Sequence, residues 1–560
     1  MVKTIMVQGT MSNVGKSIIA TGLCRLFLQD GYRVAPFKSQ NMSLNSFVTA
    51  DGGEMGRAQV VQAEACRLAP DVAMNPILLK PITDRGSQVI VWGQHWATLE
   101  AQDYFARRGS LRPAVRRAFD WLAEHHDIIV VEGAGSPAEI NLRQDDIVNM
   151  GLAKQLEAPV LLVGDIDRGG VFAQLYGTCA LLPPDERRLV KGLIINKFRG
   201  QEKLLRDGLV ELERLTDRPV LGVVPWLDLE IDDEDSLAER LDRDRPAAAD
   251  DGAVTDEPGA AMMGEASPVP PPAVMEESGV GAMSGAVGAM VVAEPGGPPA
   301  SVVSGPLAPV TAGRRAGSVD VAVVRLPKLS NFSDFTALSA TAGVEVRYVD
   351  RPDRLGRPDL LILPGSRNTM ADLAWLRRRG LDQAVLAQAA AGRPLMGLCG
   401  GYQMLGRVVE DPAGVESGGR SAGLGLLPVA TRLRPAKRQT RVEGVVLAPG
   451  GPLAALSGAP LAGYEIHLGA TTLEAGAQPL VGLAGGAVDG CWRGSVYGTY
   501  LHGFFDSQPL RSALLAALGR PAAPVVDLEA HKEAQYDHLA NTLRQTLDID
   551  RIYRLMGVER

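Results

Sequence analysis

VQGTMSNVGKS, residues 7–17, ends an aliphatic run on Gly9 and sets Gly15-Lys16-Ser17 before the apolar-periodic stretch IIATGLCRLFLQDG. A strand, a glycine-bounded loop and a helix in this order make a phosphate cradle. Backbone N–H groups and the positive end of the helix both face the loop. Gly9, Thr10, Asn13, Val14 and Gly15 form the loop, Lys16 reaches the β- and γ-phosphates, and Ser17 offers a hydroxyl to Mg²⁺. The Gly-x5-Gly-Lys-Ser spacing is one residue longer than the common P-loop.

Outward from this loop, short aliphatic runs alternate with amphipathic stretches: DIIVVEGAG, APVLLVGDID and LVKGLIINKF. That alternation predicts an α/β fold with a doubly wound parallel sheet. Acidic residues close several of these runs, where an open sheet places its ligands. Glu132 is the leading carboxylate for a metal, followed by Asp51 in a glycine-rich loop and by Asp165 and Asp167. FKSQNMSLNSF, residues 37–47, supplies Lys38, Gln40, Asn41, Ser43 and Asn45 as donors for an oxygen-rich substrate.

Near residue 246 the composition shifts to Ala, Gly, Pro, Val and Ser without aromatics, predicting a flexible tether over 246–317. Aliphatic runs resume in a second α/β half. The expected division is a nucleotide-binding half over 1–245, the tether, a second domain over 318–515 and a helical extension over 516–560.

LMGLCGGYQMLG, residues 395–406, places Cys399 between a strand and two glycines. Such a turn thrusts a nucleophile clear of the sheet. The helix that follows favours thiolate, and the Gly400 N–H can face an oxyanion. A second donor is expected after LLILPG, at Gly365 or Ser366. A cysteine nucleophile needs a base. His502, at the end of the run VYGTYLHG, is the first choice among seven histidines, and His467 in GYEIHLG is its rival.

Composition narrows the function. A net charge of −8 with no basic run argues against a nucleic-acid partner. Five scattered cysteines without CxxC spacing argue against a disulfide framework or zinc knuckle. No apolar run reaches the length of a membrane span and no signal-peptide pattern opens the chain, so a cytoplasmic location is expected.

GTMSNVGKS, KSQNMSLNS, DGGEMGRAQVVQAEACRLAPDVAMNPILLKP, EGAGSPAEINL, GDIDRGGVF and INKFRG, in this order, closely resemble the cobyric acid synthases. These are glutamine-dependent amidotransferases of cobalamin biosynthesis. The front half is similar to dethiobiotin synthetase, which shares the long loop. The resemblance implies ATP and Mg²⁺ as cofactors, phosphorylation of a carboxylate, and attack by ammonia to give an amide. It places Asn196 at the adenine base. The second half resembles a divergent class I glutamine amidotransferase domain, with Cys399 and His502 as nucleophile and base. Glutamine and a corrinoid, adenosylcobyrinic acid a,c-diamide, are then the substrates, and the b, d, e and g carboxylates are amidated.

Departures are the long tether, Ser39, Gln201 and Phe504. The wider class has a glutamate where Phe504 stands. His502 is therefore expected to lack an orienting carboxylate, and glutamine hydrolysis to be slow or to need activation by the front half. The sister a,c-diamide synthases share the chemistry, but KSQNMSLNS and SPAEINL favour the cobyric acid synthases. A partition-type ATPase is disfavoured by Met11, where that class carries a signature lysine, and by the intact Cys399 and His502.

Overall fold

A computed structural model describes residues 2–82, 86–232, 318–520 and 525–559. The tether expected over 246–317 lies outside them. In the N-terminal half six strands form one parallel sheet: β1 (Lys3–Gly9), β2 (Val34–Phe37), β3 (Ile128–Glu132), β4 (Val160–Asp165), β5 (Val190–Phe198) and β6 (Val220–Pro225). Their spatial order is β6-β5-β4-β1-β3-β2. Every residue of β3 and β4 is buried, which explains their unbroken aliphatic character: helices cover both faces of a parallel sheet. The period of two sorts side chains by face. Met6, Ile129, Val131 and Leu162 pack on one side. Ile5, Val7, Val130, Leu161 and Val163 pack on the other.

The second face is closed from the far end of the chain. Helix α1 (Lys16–Gln29) contributes Ile19, Leu23, Leu26 and Phe27 to that cluster. Leu539 and Leu543 of the C-terminal helix Leu528–Thr546 join it, with Ile552 and Tyr553 beyond. A Cβ at Gly22 would stand 2.4 Å from Leu543 Cδ1, so the two helices meet where α1 has no side chain. Arg25 is bonded to Glu533 and Asp537, each at 2.7 Å, and the Asp548 N–H donates to Leu221 O on β6. The C-terminal helical extension therefore completes the first sheet's core.

The C-terminal half carries a second mostly parallel sheet: β7 (Val319–Val324), β8 (Val344–Val349), β9 (Leu360–Leu363), β10 (Leu395–Leu398), β11 (Cys491–Arg493) and β12 (Val496–Thr499). Its order is β8-β7-β9-β10-β12-β11, with only β11 antiparallel to its neighbour. Beside it runs a long antiparallel pair, Val429–Val446 with Pro460–Leu473, whose register shifts between Leu433 and Arg438.

Both halves belong to one compact unit and meet through hydrogen bonds. Ser46 N donates to Asn331 Oδ1, Ser333 Oγ to Asn45 Oδ1, and Tyr464 OH to Ser46 O. No helix among the described residues is long and apolar enough to cross a membrane.

Candidate active sites

The phosphate loop follows the carboxyl end of β1. Gly15 takes φ 95 and Asn13 φ 61, left-handed backbone that lets the chain turn into α1. A Cβ on Gly15 would lie 2.1 Å from Asn196 Nδ2, so the loop is tied down there by close approach. Asn196, on β5, donates through Nδ2 to Val14 O at 2.8 Å. Thr10 Oγ1 donates to Gln174 Oε1, and Lys16 Nζ to Met11 O at 3.0 Å, folding the lysine over the loop. Gly9 approaches Val14 and Lys16 too closely to carry a side chain.

Glu132 is fully buried at the end of β3. Its Oε1 accepts from Ser17 Oγ and Lys38 Nζ, both at 2.8 Å, while Oε2 accepts from Gln62 Nε2. A hydroxyl and a carboxylate 2.8 Å apart beside a phosphate loop are the oxygen donors a Mg²⁺ ion takes, since it keeps phosphate and water in the rest of its shell. Asp51 does not join them. It is exposed, its Oδ1 accepts from Thr49 Oγ1 in its own turn, and none of its hydrogen bonds reaches Ser17 or Glu132. Asp165 is engaged by Lys197 at 3.0 Å and Asp167 by Arg199 at 3.0 Å. Among the described residues no three His, Cys, Asp or Glu side chains cluster to hold a metal by themselves.

The polar segment 37–47 is folded inward. Lys38 is committed to Glu132, and Gln40 accepts from Tyr104 OH. Asn41 donates to Gln59, Ser43 to Asn45 O, and Asn45 accepts from Ser333 of the other half. Asn45 thus reaches the C-terminal half, while the bonds of the other four named here stay within the N-terminal half.

At the second site, β10 delivers Cys399 into a turn with φ 50 and ψ −106, a strained conformation for a residue with a side chain. The short helix Gly400–Leu405 begins at once. A Cβ on Gly400 would sit 2.7 Å from Ser366 N, and one on Gly401 2.0 Å from Leu363 O. Both glycines are demanded by the approach of the loop after β9. Gly400 and Ser366 line the cleft at Cys399, while a Cβ on Gly365 would stand 3.3 Å from His502 Cε1.

His502 and Cys399 line the same cleft, where the Cys399 Sγ lies 3.8 Å from Ile466 O. The expectation that no carboxylate orients this ring is overturned. Asp334 Oδ2 lies 2.7 Å from His502 Nδ1, and its Oδ1 accepts from Gly503 N at 2.9 Å. Phe504 is a buried core residue instead. Asp334 comes from the turn Phe332–Phe335, 168 residues away in sequence. Burial alone would drive the imidazolium down, yet the Asp334 carboxylate and the thiol override it and hold His502 up at about 10. The ring is thus cationic at neutral pH and can stabilise a thiolate. His467 lines the same cleft, but its ring stacks on Tyr500 with centroids 3.7 Å apart, its Nδ1 lies 2.7 Å from Gly469 O, and Glu465 Oε1 stands 4.0 Å from its Nε2, where Asp334 stands 2.7 Å from His502.

Residues that the sequence did not single out complete this cleft: Lys80, Arg367, Glu416 and Lys437. The only signal for Asp334 was an acid set between phenylalanines in NFSDF.

A Cys-His-Asp site on one sheet and a phosphate loop on another define a glutamine-dependent amidating ligase with a nucleotide-binding half. The model of the CobQ/CobB/MinD/ParA nucleotide binding domain matches residues 5–236, and that of the CobB/CobQ-like glutamine amidotransferase domain matches 320–510. Cobyric acid synthase from Ruminiclostridium cellulolyticum is 46% identical over 100% of this chain and 98% of its own. Those of Photorhabdus laumondii and Salmonella typhimurium are each 44% identical, over 100% and 99% of this chain and 98% and 99% of theirs. The chain belongs to the cobyric acid synthase family.

Proposed function

We propose that this enzyme amidates the b, d, e and g carboxylates of adenosylcobyrinic acid a,c-diamide, with ATP as activator and glutamine as nitrogen donor. The observation that carries the reading is the Cys399–His502–Asp334 constellation in one chain with an intact phosphate loop.

At the glutaminase site the Cys399 thiolate attacks the side-chain amide carbon of glutamine. Gly400 N–H and a donor of the 365–366 turn receive the oxyanion. His502 gives its proton to the departing nitrogen, so ammonia leaves and a glutamyl thioester remains. The neutral ring then takes a proton from water, whose attack releases glutamate, its carboxyl proton going to solvent, and restores the thiolate–imidazolium pair. Asp334 holds the ring's tautomer and its charge.

At the phosphate loop an acceptor carboxylate attacks the γ-phosphorus of ATP, giving an acyl phosphate and ADP. Ammonia displaces phosphate and leaves the amide. The N–H groups of residues 9–17 and Lys16 hold the phosphates, and Asn196 faces the base. Ser17 and Glu132 would hold Mg²⁺, which neutralises phosphate charge during transfer.

Mass spectrometry of the corrinoid after incubation with ATP, Mg²⁺ and glutamine tests the reading. Four successive amidations are expected, and Cys399→Ala should sustain them on ammonium alone. An unchanged diamide with folded, ATP-binding protein would overturn it.

A further inference from the structure

The cleft at Cys399 is not built by the C-terminal half alone. Lys80, on the strand Ile77–Pro81 of the N-terminal half, lines it together with Arg367, Glu416 and Lys437. The crossing is reciprocal. Gln88, the register partner of Lys80 on the neighbouring strand, accepts from Arg367 Nη2 at 2.7 Å. Beneath the cleft Glu54, 1% exposed, accepts from Lys80 Nζ at 2.7 Å and from Lys437 Nζ.

Lys80 and Arg367 are buried and Lys437 is partly so, and together they face the carboxylates Glu54 and Glu416 and the sulfur of Cys399. Glu54 is spent on both lysines. Glu416 receives only long bonds, from Thr369 Oγ1 at 3.5 Å and Met370 N at 3.4 Å. Arg367 is 8% exposed, and its Nε is buried without a hydrogen-bond partner. A buried guanidinium with an orphaned donor is costly unless an acceptor arrives. Burial pushes Lys437 down to about 7 despite Glu54. Burial likewise pushes Glu416 up to about 7.

Glutamine brings the complement. Two methylenes beyond the amide that Cys399 attacks, it carries a carboxylate and an ammonium on one carbon. We infer that the glutamine site is completed by the N-terminal half: Lys80 joins Arg367 and Lys437 to receive the α-carboxylate, and Glu416 faces the α-ammonium. The inference rests on the glutaminase reading of Cys399. It makes glutamine capture depend on the docking of the two halves, through a hairpin that belongs to the synthetase sheet's side of the molecule.

The test compares glutamine with L-glutamine α-amide, which keeps the reactive amide and lacks the carboxylate, on the full chain. Lys80→Met should raise the KM for glutamine roughly 10- to 100-fold, the weight of one charge-assisted bond, with kcat little changed. The preference for glutamine over its α-amide should shrink by the same factor, and Lys80→Arg should restore both. Wild-type KM and preference in Lys80→Met would overturn the inference. So would an equal loss on both amides, which marks a structural role. A wild-type enzyme that works on ammonium but releases no glutamate from glutamine would overturn the glutaminase reading itself, and the inference with it.

Discussion

Asp334 Oδ2 stands 2.7 Å from His502 Nδ1, and the same carboxylate holds the next N–H in the chain, that of Gly503. One side chain thus fixes both the ring and the backbone that carries it. Asp334→Asn keeps the shape and loses the charge. Glutamine-driven amidation should fall roughly 100-fold or more, the scale of a disabled acid–base group. Ammonium-driven amidation should persist. A glutamine rate within a few-fold of wild type would show that Asp334 does not orient the base.

The same pair sets a pH dependence. His502 is raised to about 10, so the imidazolium persists through neutral pH and its contribution is lost as pH rises through that value. Stability from this pair is fully present below the ordinary histidine value of about 6.5 and declines on the alkaline side. With Asp334→Asn burial dominates and the ring gives up its proton at lower pH. The alkaline limb of kcat/KM for glutamine should therefore move towards neutrality. A pH–rate profile of both proteins reads this directly, and superimposable alkaline limbs would refute it.

What the sequence revealed follows how local the signal was. Cys399 and the phosphate loop were legible because a strand, a glycine turn and a helix lie within about a dozen residues. Asp334 was not, since its partner is 168 residues distant and the familiar place for a carboxylate, two residues past His502, holds Phe504. Lys80 and Lys437 were invisible for another reason: lysines read as solvated, and only the fold shows Glu54 buried between them. In the segment 37–47 the residue types were noticed, but not that the fold would turn them inward and give them partners. The role of 516–560 in the first core was hidden too, because amphipathicity shows that a helix has a partner but not which one.

The turn at Cys399 tolerates no side chain behind it. In Gly401→Ala the new Cβ would meet Leu363 O at 2.0 Å, a backbone atom that cannot swing aside. Overpacking of this kind costs about 1–3 kcal/mol, and the displacement would also move the nucleophile. The melting transition of the C-terminal half should drop by roughly 2–10 °C. Glutamine hydrolysis should fall further than that loss explains. Unchanged melting in a scanning calorimeter would show that the β9 loop can yield.

Lys16 separates the two chemistries. Its ammonium folds over the loop to Met11 O, and it does not line the Cys399 cleft. Lys16→Met removes charge stabilisation from the transferred phosphoryl group. Amidation should fall roughly 100-fold or more with glutamine and with ammonium alike. Release of ADP measured beside corrinoid mass distinguishes the outcomes. Loss with glutamine only would mean that Lys16 serves coupling and not phosphoryl transfer.

Leu543, near the end of the chain, belongs energetically to its beginning. It packs against Gly22 of α1 and lies in the cluster of Ile5, Val7, Leu23 and Val163. Leu543→Ala should cost about 2–5 kcal/mol, because a fully buried leucine leaves a cavity between two helices pinned by Arg25 to Glu533 and Asp537. The loss should appear far from the mutation in sequence. Amide hydrogen exchange should quicken in Lys16–Gln29 and β1 while Leu395–Leu398 at the nucleophile stays protected. Because α1 opens at Lys16, ATP affinity should weaken before glutamine hydrolysis does. Faster exchange at Leu395–Leu398, with α1 unmoved, would instead tie the C-terminal helices to the glutaminase sheet.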